Sequence, residues 1–142
     1  ITLTYSVKGI SRALLQELTR HRHISLSVES TRHTLKKNFD AASAELPREY
    51  SEYLFVLWNK LKDNPDMPND ELKYYLPEFW PTNLILTCNV RELRHILNLR
   101  TAPQALKEFR NLARELFYAV PDEFKYLLQD CVHEKETENE NN

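Results

Sequence analysis

A chain of 142 residues with 42% hydrophobic and 28% charged residues has the length and balance of one globular domain that can hide a core. Its formal net charge of -2 argues against a general nucleic-acid binder, which is usually basic, but leaves room for a local basic pocket for one nucleotide. A single glycine, Gly9, excludes the Gly-rich phosphate loops, and no apolar run reaches the roughly 18 residues of a membrane span, so neither class of protein is expected.

Ile1, Leu3, Tyr5 and Val7 alternate with polar residues, the period of a half-buried strand. The strand has no opening turn, so Ile1 reads as a start inside a larger protein. Ser11 is placed to cap a helix whose apolar face is Leu14, Leu15 and Leu18, ending near Arg20 to Arg22. His23 to His33 reads as extended, with Ile24, Leu26, Val28, Ser30 and Arg32 on one face. Lys36 to Pro47 reads as loop or ragged helix. Pro47 to Asn64 carries an apolar stripe at helical spacing, and its Tyr50, Tyr53 and Trp58 are expected in the core rather than as a stacking platform.

Asn69 is expected to cap a short helix to Tyr75, and Thr82 to Cys88 to form a buried strand. Asn89 with Glu92 three later has the pattern of a helix N-cap with a reciprocal acid, opening a helix to about Leu99. Pro103 is expected in the first turn of the next helix, and Pro121 to begin the last. This gives an α+β fold, a mixed or antiparallel sheet flanked by helices, over residues 1–132. Residues 133–142 are acidic and polar, and disorder is expected there. Cys88 and Cys131 have no metal or redox spacing, which suits a reducing cytoplasm. His21, His23 and His33 lack acidic or cysteine partners at ligand spacing, so no metal is expected.

Arg20 to Arg32 packs three arginines, two histidines and three serines into thirteen residues. Planar guanidinium forks suit phosphate, and hydroxyls and imidazoles add shorter-range hydrogen bonds. A pocket for a phosphate-bearing heteroaromatic ligand needs this mixture. Arg20-His21-Arg22, seven residues, Ser30 and then Arg32 resembles the motif of the flavin-dependent thymidylate synthase (ThyX) family. The stretch from Asn89 to Arg100 resembles that family's second flavin and nucleotide segment.

The resemblance implies a ThyX-like fold and methylation of dUMP to dTMP. Methylenetetrahydrofolate would give the carbon, NADPH would reduce the flavin, and FAD would be the cofactor. It implies FAD contacts at Arg20, His21, Arg22, Val28, Asn89, Val90, Arg91 and His95. It implies dUMP contacts at Gln16, Glu17, Leu18, Thr19, Arg20, Val28, Glu29, Ser30, Thr31, Arg32, Lys73 and Arg100. Arg100 is the implied catalytic residue, stabilising the anionic pyrimidine. Homotetramers with sites between subunits are implied as well, together with a further N-terminal region. The chain departs from the family pattern at Ser27 and Val28, where many members have Asn and Glu, at His33 for a common Tyr, and at Lys73 for the usual Arg. Val28 can bond only through its backbone.

Several of these residues also have a plainer reading. The triplet could be a solvated basic helix end, Gln16 a surface glutamine, Arg91 or Arg94 a solvated helix face, and His95 a satisfied half-buried histidine. Ser30 has no evident general base, so it is read as a ligand for substrate rather than a nucleophile. The competing functional readings are a non-catalytic nucleotide- or RNA-binding module and an inactive fragment of the synthase.

Overall fold

The computed structural model describes residues 1–135. Three strands, β1 (Thr2–Ser11), β2 (Ser25–Val28) and β3 (Pro81–Asn89), form an antiparallel sheet in the order β1-β3-β2. β3 is central, and its burial alternates along Thr82, Leu84, Leu86 and Cys88, the inward side of a pleated strand. β1 pairs with it from Thr2 opposite Asn89 to Ser11 opposite Pro81, with a bulge between Val7 and Ile10. Gly9 sits in that bulge at φ 70°, a left-handed conformation that side chains with a Cβ disfavour. Asn83 Oδ1 takes the Gly9 N–H at 2.9 Å and so secures the bulge.

Among the described residues, six α-helices accompany the sheet: α1 (Arg12–Leu18), α2 (Thr31–Ala44), α3 (Ser51–Asp63), α4 (Asn69–Leu72), α5 (Val90–Arg100) and α6 (Lys107–Tyr118). α1, α5 and α6 pack Leu14, Leu18, Leu93, Ile96, Leu97, Phe109 and Leu116 against the sheet. Each such side chain contributes about 1.5–3 kcal/mol by leaving water. A second core joins α2, α3 and α4 through Leu35, Phe39, Leu57, Leu72 and Trp80, with Phe39 stacked on Trp80 at 5.2 Å.

Local signals hold where expected. The Ser11 hydroxyl accepts the Leu14 N–H, and Asn89 Oδ1 accepts the Glu92 N–H at 2.8 Å. Several expectations need correction. Residues 31–44 are a regular helix, so Arg32 and His33 are helical rather than extended. Pro68, not Asn69, stands at the N-cap of α4, with no side-chain cap bond, and the Asn69 amide donates instead to the Arg32 carbonyl at 2.8 Å. Pro103 lies in a turn that precedes α6. Pro121 opens a 3-10 segment, Asp122–Leu127. On α3 only Leu57 is fully buried, while Tyr53 is 64% and Trp58 43% exposed, because α2 and α4 cover one side of that helix alone.

The C-terminal segment is tied to α5. Arg94 grips Asp130 with both terminal nitrogens, at 2.6 and 2.7 Å, and the His133 N–H donates to Thr101 Oγ1 at 2.9 Å. The expected disordered tail falls mostly on residues 136–142, which lie outside the described residues.

Candidate functional site

α1 stops at Leu18, where Thr19 turns its hydroxyl back to the Gln16 carbonyl at 2.8 Å. A tight turn follows, with the His21 N–H on the Leu18 carbonyl at 3.1 Å. It drives His21 inward, to 6% exposure, and leaves Arg20 and Arg22 exposed on either side. Neither arginine has an ion-pair partner among the described residues.

His21 is surrounded by α5 and α6. Arg100 Nε donates to His21 Nε2 at 3.0 Å, and Glu92 Oε1 lies 3.4 Å from His21 Nδ1. The His95 and Phe109 rings meet the imidazole edge-on, each at 5.8 Å. Arginine does not lose its proton in proteins, so a donating Nε–H requires a bare Nε2 and places the imidazole proton on Nδ1. Burial and then the Arg100 charge push the His21 pKa below its usual 6.5, against the opposing pull of Glu92. His21 is therefore neutral at pH 7. Arg100 lies over the Phe109 ring at 4.6 Å and donates through Nη1 to Glu17 Oε2 at 2.9 Å. Its Nη2 has no hydrogen-bond partner among the described residues.

A second centre is an open cleft of ≈ 500 Å³ lined by Val28, Glu29, Ser30, Thr31, Arg32 and Lys73, together with Arg12, Asp70 and Trp80. Ser30 occupies the N-cap position of α2 but spends no side-chain bond there. The unspent N–H groups of Thr31 and Arg32, an unspent hydroxyl and the cations Arg12, Arg32 and Lys73 form an arrangement suited to a phosphate. Asp70 already holds two of these cations, Arg32 Nε at 3.2 Å and Lys73 Nζ at 3.5 Å.

The remaining residues divide between these centres and the scaffold. Glu29 is spent on structure: Asn38 donates to Oε1 at 3.0 Å and Asn83 to Oε2 at 2.8 Å. Leu18 is fully buried in the core, so only its backbone can meet a ligand. Gln16 is exposed and donates weakly to Glu78 at 3.4 Å. Asn89 spends its Oδ1 on the helix cap, and Val90 packs against the core and donates its N–H to the Ile1 carbonyl at 3.3 Å. Arg91 and His95 are exposed on α5. Val28 is 41% exposed at the cleft. Cys88 is buried, which pushes its thiol up to about 11 and keeps it protonated at neutral pH.

Three residues of these centres escape the sequence reading. Glu92 reads as a capping acid, yet it turns inward to His21. Asp70 gives no local signal. Arg12 opens α1 and lines the cleft, and its buried Nε has no partner among the described residues. The Ser-Thr pair at Ser30 and Thr31 was a helix-start signal for α2.

The family described as "Thymidylate synthase complementing protein" matches residues 1–124. The flavin-dependent thymidylate synthase of Campylobacter jejuni (strain RM1221) is 40% identical over 149 residues, covering 94% of this chain and 72% of that protein. That of Helicobacter pylori (strain J99 / ATCC 700824) is 36% identical, covering 90% and 71%. The structure of Thymidylate Synthase X (ThyX) from Helicobacter pylori with FAD and dUMP superposes with a TM-score of 0.82 at 35% identity, covering 94% of this chain and 74% of that one. The UMP/dUMP methylase PolB from Streptomyces cacaoi shares the fold, at a TM-score of 0.65 and 20% identity. With a family match across most of its length, and relatives at 36–40% identity, the chain belongs to the flavin-dependent thymidylate synthases.

Proposed function

We propose that this chain binds FAD and dUMP and methylates dUMP reductively to dTMP, with methylenetetrahydrofolate as carbon donor and NADPH as reductant. The observation that carries this reading is the His21–Arg100 hydrogen bond, which joins two cationic motifs 79 residues apart. Its residues fit a dinucleotide. Arg20, Arg22 and Arg91 are exposed cations with no ion-pair partner among the described residues, free to meet a pyrophosphate. They would hold FAD together with Val28, Asn89, Val90 and His95 and with the backbone of the buried His21. Bound flavin supplies the redox chemistry.

The protein's own work is to bind and polarise. Ser30, Thr31, Arg32 and Lys73 at the start of α2 would take the nucleotide phosphate, and Gln16 would reach the pyrimidine edge. Arg100 keeps its charge beside a neutral imidazole, with one edge free. A preplaced cation of this kind stabilises negative charge developing on the pyrimidine, which makes the ring carbon nucleophilic. Sites shared between subunits of a homotetramer would complete this arrangement, and the exposed Tyr53, Phe55 and Val56 of α3 supply apolar surface for subunit contacts.

Purified chain is mixed with FAD, dUMP, methylenetetrahydrofolate and NADPH, and thymidylate and protein-bound flavin absorbance are measured. Bound flavin with thymidylate formation supports the synthase. Colourless protein that binds single-stranded RNA with a steep salt dependence would favour a binding module.

A further inference from the structure

Glu92 stands at the third helical position of α5, where a carboxylate ordinarily faces solvent or returns to its own helix cap. Here it is 7% exposed, and its Oε1 lies 3.4 Å from His21 Nδ1. A buried carboxylate needs a partner, since an unpaired buried charge is strongly unfavourable. Four side chains then run in series. Glu92 faces the Nδ1 side of His21, Arg100 Nε donates to Nε2, and Arg100 Nη1 donates to Glu17. Both ends of the series are carboxylates and its third member is a permanent cation, so the imidazole is required in one protonation state. With the proton on Nδ1 every contact pairs a donor with an acceptor. With the proton on Nε2, the ring would turn an N–H against the Arg100 N–H and a lone pair against the carboxylate.

We infer that Glu92 is a positioning residue, which anchors the Nδ1–H side of the His21 imidazole whose Nε2 takes the Arg100 Nε–H, and through the ring aims the free edge of Arg100. The inference rests on the thymidylate synthase reading, because Arg100 is the residue it serves. It deepens that reading by giving Glu92 a task that touches neither flavin nor nucleotide. The groups facing the imidazole are Glu92, His95 and Arg100 from α5 and the uncharged Phe109 from α6, while Glu17 of α1 acts through Arg100. Glu92 is the only anion in direct contact among these. Its removal therefore shifts the imidazole further toward neutrality while releasing its orientation.

The test uses the full chain labelled with nitrogen-15, and the same chain carrying Glu92→Gln, an isostere that keeps the backbone cap and loses the charge. Long-range proton–nitrogen spectra report which His21 nitrogen carries the proton and at what pH the ring titrates, with the His21 signals assigned from a His21→Gln sample. The expected native spectrum has a protonated Nδ1 and a bare Nε2 at pH 7. In Glu92→Gln, His21 titrates at lower pH and kcat falls about tenfold, on the scale seen when the second partner of a working imidazole is removed. The KM for dUMP changes little, as expected when ground-state binding is untouched. A native His21 protonated on Nε2, or a Glu92→Gln chain whose His21 titrates where the native one does, overturns the inference. The two readings fail separately. Flavin-loaded native chain that makes no thymidylate sinks the synthase reading, while the nitrogen spectra alone still decide the role of Glu92.

Discussion

Asp70 holds Arg32 at the rim of the cleft, with Oδ2 3.2 Å from Arg32 Nε, and the same carboxylate reaches Lys73 Nζ at 3.5 Å. Two cations suited to a phosphate thus share one anion that the phosphate must displace or endure. Asp70→Asn removes that competition. Both side chains are substantially exposed, so the gain is modest: dUMP is expected to bind about two- to fivefold more tightly. Arg32→Ala is expected to weaken binding and raise the KM for dUMP with little change in kcat. Equilibrium titration of dUMP checks both, and both effects should shrink as salt is raised.

His21 couples stability to pH. Burial and Arg100 lower its folded pKa below 6.5, so the unfolded chain binds the proton more readily than the folded one. Stability from this group is full above the unfolded pKa of about 6.5 and is lost as pH falls through the lower folded value. Urea unfolding is expected to show a midpoint that declines from pH 6.5 downward. A His21→Asn chain should show a shallower decline in that window.

Gly9 should tolerate a side chain in space but not in backbone. An added Cβ would meet nothing within 4 Å, yet φ is +70°. Gly9→Ala is expected to cost about 1 kcal/mol, with a fall of a few degrees in Tm and flavin binding intact. Thermal unfolding followed by circular dichroism measures it.

The resemblance implies a dUMP contact for Glu29, whereas its hydrogen bonds give it a scaffold role. With both oxygens occupied by Asn38 and Asn83, it fastens the start of α2 to β3. Glu29→Ala is expected to destabilise the chain by about 1–3 kcal/mol, since two hydrogen bonds to a charged acceptor are lost. Any loss of dUMP affinity should follow the loss of fold. Affinity lost while the unfolding midpoint stays native would assign Glu29 to the ligand instead.

What could be read in advance follows the range of each interaction. Ser11 and Asn89 are legible as caps because the bonds that make them caps close within three residues. β3 is legible because it is central and half its side chains face the core. α2 is not, because only Leu35 and Phe39 among its fourteen residues are buried, and the rest give no apolar face. Its N-terminus, where Ser30 and Arg32 belong to the cleft, carries only the short Ser30-Thr31 start signal. Trp58 and Tyr53 carry helical spacing, but which side of a helix is covered depends on neighbours elsewhere in the chain. The inward turn of Glu92 has no local signature for the same reason: its partner His21 arrives from another part of the fold, and no local pattern competes with the capping acid.

The central claim is that Arg100, held by His21 and Glu17, is the charge on which pyrimidine activation depends. Single-turnover conversion of dUMP to thymidylate, followed in native and Arg100→Ala chains with flavin absorbance recorded in the same samples, tests it most directly. The expected result is at least a roughly hundredfold loss of thymidylate formation with flavin still bound. Native turnover in the Arg100→Ala chain would contradict the account.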